Sequence, residues 1–121
     1  MAFGATLTLT VNAVAKVLNR INQDNYGSEY YLRSTLDEYR VRIRHTKLTP
    51  NVDGKVPDSH NIEVTHTVFA TSTVPAIVRQ AYIVVRIFGD DDLTLAGYLL
   101  AAATTYFNNG TVQSDLLTWQ S

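Results

Sequence analysis

Residues 38–47 read Glu38-Tyr39-Arg40-Val41-Arg42-Ile43-Arg44-His45-Thr46-Lys47. Successive side chains of a β-strand point to opposite faces. Arg40, Arg42 and Arg44 therefore share one face, and Tyr39, Val41, Ile43 and His45 share the other. One side is a row of guanidinium groups and the reverse is apolar, which makes this stretch the reference for the rest of the sheet.

Downstream, residues 48–59 hold two prolines, Asn51 and an Asp53-Gly54 pair, the chemistry of a long hairpin loop. Alternation resumes over residues 60–69, with Asn61, Glu63, Thr65 and Thr67 on one face and Ile62, Val64, His66 and Val68 on the other. After a loop at 70–76, residues 77–88 alternate again. Gln80, Tyr82, Val84 and Arg86 face one way, and Ala81, Ile83, Val85 and Ile87 the other. Upstream, Thr6, Thr8 and Thr10 alternate with Leu7, Leu9 and Val11, Asn12-Ala13 reads as a turn, and residues 14–21 return as the second arm of a hairpin. Residues 22–27 form a loop and 28–35 a further strand, with a break at Leu36-Asp37. Three consecutive strands with one apolar face each describe an antiparallel sheet with one covered side.

The cover is expected at the C-terminus. Asp90, Asp91 and Asp92 suit a helix N-terminus, where free N–H groups and the helix dipole favour anions. Residues 93–107 are rich in Leu and Ala, contain no proline, and are apolar nearly all round, so this helix needs more than one partner surface. Asn108-Asn109-Gly110 ends it, and Thr111 is expected to cap a short last helix running to Trp119. The fold class is α+β: an N-terminal hairpin (1–21), an antiparallel sheet of about five strands (26–88) and two C-terminal helices (90–121), in one domain spanning 1–121.

The chain has 121 residues, 45% hydrophobic and 17% charged, with no cysteine and a formal net charge of −1. The absence of cysteine removes disulfides, thiolate zinc sites and cysteine nucleophiles. No apolar run reaches the roughly 20 residues of a membrane-spanning helix, and residues 1–4 carry no basic leader, so neither membrane insertion nor secretion is expected. Charged residues are scarcer than the roughly 25% of an average globular protein, which points to surface reserved for other copies of the chain. The charge is also segregated. Residues 1–47 carry seven basic and four acidic groups, residues 48–121 three basic and seven acidic, and no Lys or Arg follows Gly89. A basic sheet and acidic helices give a particle with two electrostatically different sides.

In this order of elements the chain resembles the coat proteins of single-stranded RNA bacteriophages, the leviviruses. The resemblance runs over nearly the whole chain: the Thr-rich hairpin, the Glu38–Arg44 strand, the Asn61-Ile62-Glu63-Val64-Thr65 strand, the string Arg79-Gln80-Ala81-Tyr82 within residues 78–88, and the acidic start of the helix pair. It implies an intertwined homodimer with a continuous sheet, the helices of each chain lying across the partner's sheet. Such dimers assemble into an icosahedral shell, the virion capsid, with the polar sheet face toward single-stranded viral RNA. It also implies that an RNA hairpin binds this face and represses replicase translation. RNA contact is carried over to Arg40, Arg42, Arg44, Asn61, Glu63, Tyr82 and Val84, with Thr65 and Arg86 as neighbours on the same face. Tyr82 would stack on an unpaired base. Two positions depart from the family: Val84 is apolar where a polar residue is found, and Glu63 stands where a cation is common. No cofactor, metal or membrane partner is implied.

Each of these residues also has an ordinary structural reading. An arginine row can be a solvated face, Tyr82 a plain sheet aromatic, and Asp90–Asp92 a helix cap in place of a cation site. His45 and His66, on the apolar face, read as hydrogen-bonded histidines, because no third ligand at metal spacing accompanies them. Asp53-Gly54 is a turn, since no alternating carboxylates surround it. No nucleophile with an adjacent base and no phosphate-cradling glycine loop occurs, so an enzyme built on His45, His66 and Glu63 ranks below two binding readings. These are an RNA-packaging capsid protein and, alternatively, a dimeric RNA-binding regulator that forms no shell.

Overall fold

The computed structural model describes residues 3–120. Six strands are followed by two helices: β1 (Thr6–Val11), β2 (Val14–Gln23), β3 (Gly27–Arg33), β4 (Asp37–Lys47), β5 (Pro57–Val68), β6 (Ile77–Phe88), α1 (Leu93–Phe107) and α2 (Gly110–Leu117). The strands form one antiparallel sheet in sequence order, as the alternation predicts, and the N-terminal hairpin supplies its first two members. The chain divides into two compact units, one ending at Arg86 and the other beginning at Ile87.

Local chemistry sets the turns. Asn12 and Ala13 join β1 to β2 with φ of 50° and 63°, the left-handed pair that a two-residue hairpin requires. Between β3 and β4 the Ser34 hydroxyl accepts the N–H of Leu36 and of Asp37 and donates to the Asp37 carboxylate at 2.6 Å. That knot ends β3 at Arg33, two residues earlier than the β-type run at 28–35 suggests. In the β4–β5 loop the Asn51 carboxamide accepts the N–H groups of Asp53 and Lys55, both at 3.0 Å, and Gly54 turns the chain with φ of 78°. Asp53-Gly54 is thus a turn, as expected. The loop is shorter than the sequence suggests, because β5 begins at Pro57 and Leu48 N–H donates to the Pro57 carbonyl at 2.9 Å.

Gly27 allows β3 to lie close against β4. A Cβ there would stand 2.6 Å from the Ile43 carbonyl oxygen, inside any tolerable contact. The core lies on the opposite face from the arginines: Leu18, Tyr30, Tyr39, Val41 and Ile43 are buried, with Leu7, Leu9, Leu32 and Val64 packed against them. Each such side chain stabilises the fold by about 1.5–3 kcal/mol. Tyr30 is completely buried, and its hydroxyl donates to the Gly4 carbonyl at 2.6 Å, so its one polar atom is satisfied.

In the second unit the Asp92 carboxylate accepts Thr94 N–H at 2.8 Å and caps α1, as the aspartate run predicts. The cap of α2 differs from expectation. Asn109, not Thr111, supplies the accepting oxygen, taking the N–H groups of Thr111 and Val112 at 2.9 and 3.3 Å. An asparagine two residues upstream reaches the same free donors and leaves Thr111 inside the first turn. No residue of either helix is buried, although Leu93, Leu95, Tyr98, Leu99, Tyr106 and Phe107 all lie along α1.

Candidate nucleic-acid interface

The register of β4 against β5 places Arg40 opposite Thr65, Arg42 opposite Glu63 and Arg44 opposite Asn61. Cross-strand partners share a face, so six of the nine sequence-predicted residues form a patch three rungs long. Burial supports the assignment: Tyr39, Val41 and Ile43 are buried while Arg42 and Arg44 are exposed. On β6 the Gln80 carboxamide donates to the Glu63 carboxylate at 3.5 Å, which puts Gln80 on the arginine face. By alternation Tyr82, Val84 and Arg86 join it, and Tyr82 is 62% exposed. All nine residues therefore lie on one face, on three strands that are consecutive in the sheet order.

β3 adds residues that the sequence reading passes over. Arg33, Tyr31, Glu29 and Gly27 stand opposite Glu38, Arg40, Arg42 and Arg44. Glu29 ion-pairs with Arg40, and its Oε1 lies 3.6 Å from Arg42 Nε. Burial pushes the Glu29 carboxyl up, but the hydrogen bond and charge of Arg40 and the charge of Arg42 outweigh it, so the group sits below its ordinary range. The Arg40 guanidinium also lies 4.7 Å from the Tyr31 ring centroid, a cation–π contact. The Tyr31 hydroxyl donates to Glu38, whose carboxylate raises the phenol above its usual value. Arg40 is thus fixed from two sides.

Arg44 differs. Its β3 neighbour is Gly27, which has no side chain, and among the described residues Arg44 makes no ion pair. Beside it, Asn61 Oδ1 is shut from solvent with no hydrogen-bond donor. The face as a whole holds five arginines (33, 40, 42, 44 and 86) against three glutamates (29, 38 and 63), a net positive field whose least compensated end is at Arg44. The strand at 28–35 was legible in the sequence, but the partners of Glu29 and Tyr31 follow only from the register.

Such a face suits an anionic polymer. Guanidinium groups attract phosphates, an exposed phenol ring can stack on a base, and neither needs a defined sequence. A family model described as the coat protein of phage phiCb5 matches residues 4–88. The chain belongs to that family of phage coat proteins. The expected likeness to coats of single-stranded RNA phages is thereby met, and the coat protein's role is structural, in the capsid of the virion. No curated protein sequence matches it. The match ends on the last residue of β6, so α1 and α2 of this coat protein lie beyond it.

The histidines bear on the enzyme reading. His66 stacks on Tyr39 at 4.3 Å between ring centroids, receives a hydrogen bond from Arg79 at 3.4 Å on Nδ1, and donates from Nε2 to the Asp37 carboxylate at 2.9 Å. The arginine donor makes Nδ1 an acceptor, so both ring nitrogens are engaged in hydrogen bonds. His45 stands opposite His60, six residues along β5 from His66, or roughly 20 Å at ~3.3 Å per residue. Glu63 is on the arginine face. The three groups share no cleft, and the coat family is structural rather than enzymatic. Among the described residues, no helix is long and apolar enough to cross a membrane.

Proposed function

We propose that this coat protein pairs with a second copy to form a dimer, that dimers close into an icosahedral shell, and that the arginine face lies against single-stranded RNA packaged inside. The observation that carries the proposal is the register of Arg40, Arg42 and Arg44 against Thr65, Glu63 and Asn61, a basic patch backed by a buried apolar layer. Rigid strands hold the guanidiniums in a row, with Arg40 pinned by Glu29 and Tyr31 while Arg42 and Arg44 extend to solvent. Pairing with a second copy is supported by the apolar side chains left exposed on β6 and α1, including Ile83, Tyr98 and Leu99. The same face, with Tyr82 as the stacking ring, would hold an RNA hairpin and so repress replicase translation.

The full chain is expressed alone in bacteria and examined by electron microscopy, sedimentation and absorbance at 260 nm. Shells containing RNA are expected; dimers free of nucleic acid that never assemble would overturn the proposal in favour of the non-capsid regulator. Replacing Arg42 and Arg44 together by alanine is expected to leave the fold intact and to lower the RNA content. If two phosphate contacts are lost, the log–log salt slope for single-stranded RNA falls by about 1.4. Unchanged RNA content and slope would sink the assignment of this face. Tyr82→Ala is expected to weaken hairpin binding by about 1–3 kcal/mol while shells still form.

A further inference from the structure

One pair of side chains is left over from the coat role. His45 near the end of β4 and His60 near the start of β5 face each other across the ladder, and their Nδ1 atoms are 2.8 Å apart. The rings stand at 67° with centroids 5.1 Å apart, and His45 is exposed. Two residues nearer the loop on the same face, Lys47 and Asp58 form an ion pair at 3.3 Å, so the Asp58 carboxylate is already occupied by an ammonium group.

We infer that His45 and His60 form a two-histidine chelate for a borderline transition-metal ion such as Ni2+, Cu2+ or Zn2+, bridging β4 and β5 at the base of the 48–56 loop. Two imidazole nitrogens bound at ~2.0–2.1 Å with angles between square and tetrahedral stand about 2.9–3.4 Å apart. From the observed 2.8 Å the nitrogens must open by a few tenths of an ångström, and each ring must turn so that its lone pair leaves the N–N line and converges on the metal. The strands already hold the two donors in place, so little side-chain freedom remains to be lost on binding. A donor set of nitrogen alone selects these metals over calcium and magnesium, which require oxygen. In the free pair one Nδ1 donates and the other accepts. Coordination needs both lone pairs, so the donor ring's proton moves to its Nε2 and no net proton is released. Among the described residues no third histidine or carboxylate completes a set, so water fills the remaining positions and the ion exchanges readily.

The test uses the full chain with the metal alone. Calorimetric titration with Ni2+ is expected to give one site per chain, weakened on the order of tenfold or more in His45→Gln and in His60→Gln, and retained in His66→Gln. The spectrum of bound Cu2+ by electron paramagnetic resonance is expected to show two imidazole nitrogens in the wild type and one in His60→Gln. This measurement on the wild type stands even if a variant misfolds. No binding, binding indifferent to both substitutions, binding lost only with His66, or a wild-type spectrum with a single nitrogen would each overturn the chelate.

Discussion

The strands β1–β4 contain a buried apolar core, whereas the described residues of β6, α1 and α2 contain no buried side chain. In the first region Leu18, Tyr30, Tyr39, Val41 and Ile43 are buried, and the Tyr30 hydroxyl has its partner in the Gly4 carbonyl. In the second, twelve strand residues and two helices present Ile83, Val84, Leu93, Leu99 and Tyr106 to solvent, and neither helix holds a buried residue. The first region can stand on contacts within one chain. The second carries the apolar surface that a shell protein needs for its neighbours, since contiguous exposed apolar area on a soluble chain marks an interaction surface.

That contrast breaks most visibly if a core and a helix residue respond alike. Ile43→Ala is expected to destabilise the fold by about 2–5 kcal/mol in urea unfolding, through lost burial and a cavity. Leu99→Ala, at a position 71% exposed, is expected to change the stability of the isolated chain by less than about 0.5 kcal/mol while reducing shell yield. Equal losses in unfolding experiments would show that α1 is packed within one chain after all.

A second measure probes the polar atoms of the first region. Tyr30→Phe removes the donor to the Gly4 carbonyl at 2.6 Å and is expected to cost about 0.5–1.5 kcal/mol, read as a lower denaturant midpoint with unchanged slope.

Acid offers a gentler probe. The Asp37 carboxyl is held below its ordinary value of 3.8, first by the Ser34 hydroxyl and then by His66, and Glu29 is held below 4.5 by its arginines. A carboxyl that is more acidic when folded stabilises the protein above its unfolded value and loses that contribution as pH falls through its folded one. Stability is therefore expected to decline as pH drops below about 4.5, and Asp37→Asn to flatten that decline, as thermal melts between pH 5 and 3 will record.

The smallest effect is expected at the first turn. Ala13 has φ of 63°, where a Cβ crowds the backbone, so Ala13→Gly is expected to relieve up to about 1 kcal/mol and raise the melting temperature slightly. No change, or a fall, would show that the chain-entropy cost of glycine outweighs the relief.

Much of this was legible in residue order. The period of two in residues 38–47, 60–69 and 77–88 fixed which side chains share a face, and the runs Asp90–Asp92 and Asn108–Gly110 marked helix ends. The reading went astray where two donors or acceptors competed within a few residues, as when Asn109 displaced Thr111 as the cap of α2. It fell silent on pairs across strands. Residue order sets His45 beside His66, yet it faces His60, and residue order gives no sign that Glu29 ties down Arg40.

By itself the sequence determined the strands, their two faces and the basic side, because alternation is a property of neighbours along the chain. Only the tertiary structure decided which arginine is pinned and which is open, and which histidines meet. Register depends on how many residues each turn consumes, and a shift of one residue in the 48–56 loop would have put every partner on a different rung.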